Sequence, residues 1–279
     1  TDAEVVQLMI GREITQVFPP KPEPTGRRRT MLEVARLGWG DRLKDISFAV
    51  HEGEIVGLGG LDGQGQRELL LALFGVLRSV DGEIRIDGRA VTINGPSAAK
   101  ASGIDMALIP EDRKTEGLML PMSIGENLSM AALGSLANGP LIDRGRETDA
   151  IRAMIDKLRI KIGSTGDAVA TLSGGNQQKV VIGKWLMTAP KVILLNDPTR
   201  GIDVGTKQEL YQLLRDLAAD GAAILFYTTD YDELIGCCDR VLILYDGAIT
   251  KELDGDAINE TNIVASALNI STEKAAAFS

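Results

Sequence analysis

Four short runs in this chain hold almost nothing but apolar residues: EIVGLGG (54–60), KVILLND (191–197), AAILFYT (222–228) and RVLILYDG (240–247). A strand that is apolar at successive positions buries both faces, which requires a mostly parallel sheet covered by helices on either side. Helical patterns lie between the runs. Gln66–Phe74 sets Leu69, Leu70, Leu73 and Phe74 on one side, and Lys207–Leu217 does the same with Leu210, Leu213, Leu214 and Leu217. GEIRIDG (82–88) and IDMALIP (104–110) read as further strands, and Glu126–Leu133 and Arg144–Arg159 as helices. The segment from about 121 to 190 breaks the alternation and reads as a helical subdomain, so the expected class is α/β.

The 279 residues, 44% apolar and 25% charged, suffice for one large globular domain. A net charge of −9 argues against a general nucleic-acid binder, although Arg27, Arg28 and Arg29 form a local basic run. Cys237 and Cys238 are adjacent, a spacing that disfavours a disulfide and points to reduced thiols. No apolar run is long enough to span a membrane, and the first residues lack a signal-peptide pattern. Asp2–Met9 reads as a short helix, and FPPKPEPTGRRRT (18–30) as a stiff linker. The main domain is expected over 31–270, with a tail at 271–279. Thr1 in place of Met leads us to expect a longer parent chain.

The first run leads into GLDGQGQREL (60–69), which has the G-x-x-x-x-G spacing of a phosphate-cradling P-loop between a strand and a helix. Gly60, Gly63 and Gly65 let backbone N–H groups converge on an anion, aided by the helix N-terminus. A tight strand-to-helix turn without ligand has the same glycine spacing, and the Lys and Ser/Thr that should follow are Gln66 and Arg67. Further on, TLSGGNQQKVVIGKWL (171–186) places Ser173, Gly174 and Gly175 at the start of a helix, where a hydroxyl and free N–H groups face one point.

Leu-Ser-Gly-Gly followed by an apolar strand ending in acid is the motif order of ATP-binding-cassette (ABC) ATPases. LSGGNQQKV, NDPTRGIDVGTK (196–207) and IPEDRKTEGL (109–118) resemble the second cassette of tandem bacterial sugar-import ATPases of the ribose, galactose and xylose type. The opening VVQLMIGREI (5–14) resembles the end of a first cassette. The resemblance implies an ABC cassette: a P-loop NTPase with a mostly parallel sheet, an antiparallel β region and a helical subdomain. It also implies ATP and Mg²⁺ as ligands, and a location on the inner, cytoplasmic face of the cell membrane. The implied partners are another cassette, of the same polypeptide or a second copy, transmembrane permease subunits and, indirectly, a solute-binding protein.

The same resemblance exposes departures. Gln66 and Arg67 replace the phosphate-binding Lys and the metal-binding hydroxyl, and Asp62 adds a negative charge. Asn196 and Asp197 stand where Asp and the water-orienting Glu belong, Thr229 where a His belongs, and Glu111 where the Q-loop Gln belongs. Trp39 is a candidate base-stacking aromatic, and His51 is expected to face water. Degenerate catalytic positions (Asn196, Asp197, Thr229, Glu111) and a weak nucleotide loop (Gly60, Gly63, Gly65, Gln66, Arg67) are therefore expected, with no metal held here. Arg67 would occupy the place of Mg²⁺, which would bind only at the partner's site. Ser173, Gly174, Gly175, Asn176, Gln177 and Asp203 are expected to act in trans on a partner's ATP. Competing functions are an independent P-loop ATPase, a non-hydrolytic nucleotide-sensing module and an ABC-type DNA repair or chromosome protein. The last usually carries coiled-coil or zinc insertions that have no counterpart in this sequence.

Overall fold

The structure, a computed structural model, describes residues 18–22 and 28–270. The expected Asp2–Met9 helix, Arg27 and the tail 271–279 lie outside the described residues. Strands β1 (Thr30–Trp39) and β2 (Leu43–His51) form an antiparallel hairpin, and β3 (Ile55–Gly59) runs into the glycine loop and helix α1 (Gln66–Leu73). Strands β4 (Asp81–Ile86) and β5 (Arg89–Val91) return to that hairpin, giving an antiparallel sheet of order β2-β1-β4-β5. Helix α2 (Pro96–Ala99) precedes β6 (Met106–Ile109). A helical stretch follows: α3 (Ile124–Ser129), α4 (Leu133–Leu136), a small hairpin of β7 (Ala137–Asn138) and β8 (Leu141–Ile142), α5 (Arg144–Leu158) and α6 (Gly174–Leu186). The chain then alternates through β9 (Val192–Asn196), α7 (Val204–Ala219), β10 (Ala223–Tyr227), α8 (Tyr231–Cys237), β11 (Arg240–Tyr245), β12 (Ala248–Asp254) and α9 (Glu260–Ala267).

The second sheet has the order β12-β11-β3-β10-β9-β6, with β12 as its antiparallel edge and the other neighbours parallel. Its apolar runs work as the pattern predicts, because successive residues feed opposite cores. Ile193, Leu195, Ile224, Phe226, Val241 and Ile243 pack with the helices on one side. Val192, Leu194, Ala223, Leu225, Leu242 and Leu244 pack with α1 and the antiparallel sheet on the other. The period of two thus survives in strands that look uniformly apolar.

Two helix starts differ from expectation, each because of a cap. The helix expected from Glu126 begins at Ile124, since Ser123 and Glu126 form a reciprocal capping box, and it ends at Ser129. The helix expected from Lys207 begins at Val204, where the Asp203 carboxylate accepts from Thr206 N at 3.0 Å.

Helix α6 carries one buried cation. Lys184 is 7% exposed, and its Nζ donates to the Gly117 carbonyl. Burial, helped by nearby Lys100, pushes its ammonium down to about 8 from 10.5. The unfolded chain therefore binds this proton more tightly, so the group adds stability above the unfolded value and loses it as pH falls through about 8. This contribution is on the order of 2–3 kcal/mol, while the buried thiols of Cys237 and Cys238, whose pKa burial raises, act in the opposite direction. Lys184→Met is therefore expected to change its stability relative to the parent by that amount between the two ends of the window, in urea unfolding of both proteins.

Candidate functional site

The glycine loop is built as a cradle. Gly60 and Gly65 have φ of 124° and 111°, a region open chiefly to glycine. A Cβ at Gly60 would lie 2.4 Å from the Leu244 carbonyl oxygen, and one at Gly65 would lie 2.9 Å from that of Arg42. The side chains that follow are an amide and a guanidinium. Gln66 is fully buried, and its Nε2 donates to the carbonyls of Gly59 (3.3 Å) and Leu61 (2.9 Å), while its Oε1 has no partner. A neutral amide thus ties the loop to itself. Arg67 was expected where a metal would sit. Its guanidinium instead pairs with Glu116 at 2.9 Å and lies 3.9 Å from Glu111. Asp62 accepts from the Tyr227 hydroxyl at 2.8 Å, and burial raises the pKa of that phenol.

At the ends of β9 and β10 Asn196, Asp197 and Thr229 come together. Asn196 is buried with its Oδ1 unpartnered. Asp197 is 3% exposed, and its Oδ2 accepts from Thr229 Oγ1 at 3.0 Å. Burial raises its pKa, while the Thr229 bond lowers it. Glu111 pairs with Arg200. Asp197 also has φ 43°, a conformation that Asn and Gly tolerate better than most residues. With a raised folded pKa, its stability contribution is complete below pH 3.8 and lost as pH rises through the folded value. Asp197→Asn is therefore expected to raise Tm at neutral pH and to leave it nearly unchanged near pH 3, by thermal melts at both pH values.

The Ser-Gly-Gly tip is differently made. Ser173 is exposed and caps α6, its Oγ accepting from Asn176 Nδ2 at 3.1 Å and, more distantly, Asn176 N at 3.5 Å. The first-turn N–H groups of a helix have no intrahelical acceptor, so this tip presents donors to an anion. Gly175 packs against α7: a Cβ there would fall 2.4 Å from Thr206 Oγ1, which itself donates to Asp203 Oδ2 at 2.8 Å. The hydrogen bond from Thr206 N holds the Asp203 carboxyl below its ordinary range. Ser173, Gly174, Gly175 and Asp203 are thus assembled on one surface. Gln177 departs from expectation. It is 5% exposed, and its amide turns inward to the Val169 carbonyl at 3.4 Å.

Sequence reasoning missed Glu233. Its fully buried carboxylate accepts from Lys207 Nζ (2.8 Å), the Tyr211 hydroxyl (2.7 Å), Thr199 Oγ1 (2.9 Å) and Thr228 Oγ1 (2.7 Å). It joins α7 to the segments following β9 and β10. His51, expected in water, ends β2 half-buried, its Nδ1 3.2 Å from Thr30 Oγ1. Trp39 ends β1, and its Nε1 donates to the Arg78 carbonyl at 3.0 Å. Cys237 and Cys238 are free and buried.

This fold is that of an ATP-binding cassette. A nucleotide-free ATP-binding cassette from an ABC transporter matches with a TM-score of 0.69 at 18% identity, covering 87% of this chain and 96% of that one. The ADP conformation of MJ1267, an ATP-binding cassette of an ABC transporter, matches at 0.70 and 20%, covering 90% and 99%. The sequence profile of the ABC transporter family matches residues 43–200, more than half of the chain, and the chain belongs to that family. It is 62% identical over 276 residues to the ribose import ATP-binding protein RbsA 1 of Rhizobium johnstonii, covering 99% of this chain and 54% of that protein. To the ribose import ATP-binding protein RbsA 2 of Streptomyces avermitilis it is 42% identical over 267 residues, covering 96% and 52%. The chain spans about half the length of these relatives.

Proposed function

We propose that this chain is the energy-coupling half of an ABC importer for ribose or a similar monosaccharide. In this reading it completes an ATP site whose P-loop belongs to another cassette. Its own loop does little bond-breaking. The observation that carries the reading is the contrast between the two sites. The loop is closed on Gln66 and its arginine is committed to Glu116, whereas Ser173 stands exposed at an intact helix tip.

Mg-ATP fits the chain's own pocket poorly. The ammonium and the hydroxyl that would hold phosphate and metal are absent from positions 66 and 67, and the carboxylates of Asp62, Asp197 and Glu111 all lie near enough to act on Tyr227, which binds Asp62 of the loop. In trans, the Ser173 hydroxyl and the N–H groups of Gly174 and Gly175 would hold the partner's terminal phosphate, and Asp203 would line the junction. ATP supplies the phosphoanhydride bond there; this chain orients and neutralises. The partner cassette is the preceding half of the same polypeptide or a second copy, which fits a chain about half as long as its relatives. Among the described residues no helix is long and apolar enough to cross a membrane. The likeness to ribose import ATP-binding proteins supports assigning the path for sugar to separate permease subunits, with a solute-binding protein beyond them. The chain then sits on the cytoplasmic face of the membrane. The exposed turn at Lys114–Glu116 is assigned to the permease.

The test is ATP-driven uptake of labelled ribose into vesicles carrying the permease, the binding protein and the full-length ATPase. Uptake is expected to require this half. Equal uptake without it would overturn the reading.

A further inference from the structure

The segment Arg113–Gly117 is a wide turn in which Gly117 N reaches back to Asp112 O, and the Asp112 carboxylate accepts from Lys114 N and Thr115 N. Its outer edge, Lys114, Thr115 and Glu116, is exposed. Its inner edge touches the core and the helical stretch at once. Glu116 holds Arg67 of α1. Gly117 lies flat on α6, where a Cβ would come 2.8 Å from Val181 Cγ2, and its carbonyl accepts from Lys184.

Arg113 reaches the donor surface itself. Its Nη1 donates to the Arg200 carbonyl at 3.4 Å and lies 3.8 Å from where a Cβ on Gly201 would be. Its Nη2 lies 2.8 Å from the Cβ position of Gly174, and its Nε is buried without a partner. One planar guanidinium therefore sits between the two pieces of backbone that face a partner's nucleotide, the 200–203 loop and the tip of α6. A guanidinium is a rigid fork that can keep two contacts in fixed relation, which a lysine ammonium on a flexible stem does not.

We propose that Arg113 is a positioning residue that makes the exposed turn, the 200–203 loop and the Ser173–Gly175 tip move as one body. Force applied to Lys114–Glu116 reaches the in-trans ATP site through Arg113, bypassing the chain's own loop. This rests on the importer reading above, but one arm of its test does not.

That arm is hydrogen exchange on the 279-residue chain. Arg113→Lys is expected to raise exchange in residues 174–180 and 200–207 together, with the thermal melt showing that the fold is kept. A rise in neither segment, or in one alone, overturns the link. The second arm is the reconstituted transporter with ribose-loaded binding protein. Altering one residue along a coupling path changes the coupling by roughly 2–30-fold. Arg113→Lys and Arg113→Ala are expected to lower the stimulated kcat about tenfold, with KM for Mg-ATP within twofold of the parent. Unchanged stimulation refutes transmission through Arg113. A KM that rises in step with the loss of kcat would instead make Arg113 a nucleotide contact and overturn the positioning role. Absence of any ribose stimulation in the parent would fault the importer reading, leaving the exchange result to decide the link.

Discussion

Ser173→Arg is expected to cut ATP hydrolysis by the assembled two-cassette protein by at least about 10²–10³-fold, the usual cost of losing one preorganised contact at a reacting phosphate or carbonyl. The substitution removes the tip hydroxyl and fills the space above Gly174 and Gly175 with a long side chain. Its structural cost is smaller. The loss of a helix cap amounts to about 0.5–2 kcal/mol, and the capping bond from Asn176 N to Ser173 is long at 3.5 Å, so the fold should persist. Arg67→Ala serves as the counterpart. It removes a half-exposed ion pair to Glu116 and is expected to change hydrolysis less than threefold. Steady-state phosphate release by both variants, with melts alongside, measures the contrast. Equal losses from the two would place the chemistry in this chain's own loop.

Glu233→Leu is expected to destabilise the chain by about 3–5 kcal/mol, the range for removing one member of a buried charge network. The variant strands Lys207, Tyr211, Thr199 and Thr228 without their shared acceptor. Glu233→Gln keeps the shape and part of the hydrogen bonding, and its loss should be clearly smaller. Urea unfolding of the two variants separates charge from packing. A loss below 1 kcal/mol for the leucine variant would mean that the network contributes little beyond its burial cost.

The fold was legible where burial leaves a mark in composition. The strands at 55–59, 192–196, 223–227 and 240–245 announce themselves by apolar runs, and the Ser-Gly-Gly tip by its place shortly before an apolar strand that ends in acid. Helix starts were misjudged by two or three residues because caps lie outside the apolar pattern, as Ser123 and Asp203 show. Within the site, residue types were legible but directions were not. Arg67 looked like a stand-in for a metal, yet its partner Glu116 lies 49 residues away and only the folded turn brings them together. Glu233 could not be recognised. It sits among acids in DYDEL, which reads as a solvated helix start, while Lys207 and Tyr211, which hold it, come from another helix. Arg113 was hidden in the same way, inside a charged stretch that reads as surface.

ATP titration of the purified chain by calorimetry, with Mg²⁺ and then with chelator, addresses the division of labour between the two sites most directly. The account predicts weak binding that is indifferent to the metal, with no heat of hydrolysis. Tight binding that collapses when Mg²⁺ is removed, accompanied by steady turnover, would contradict it.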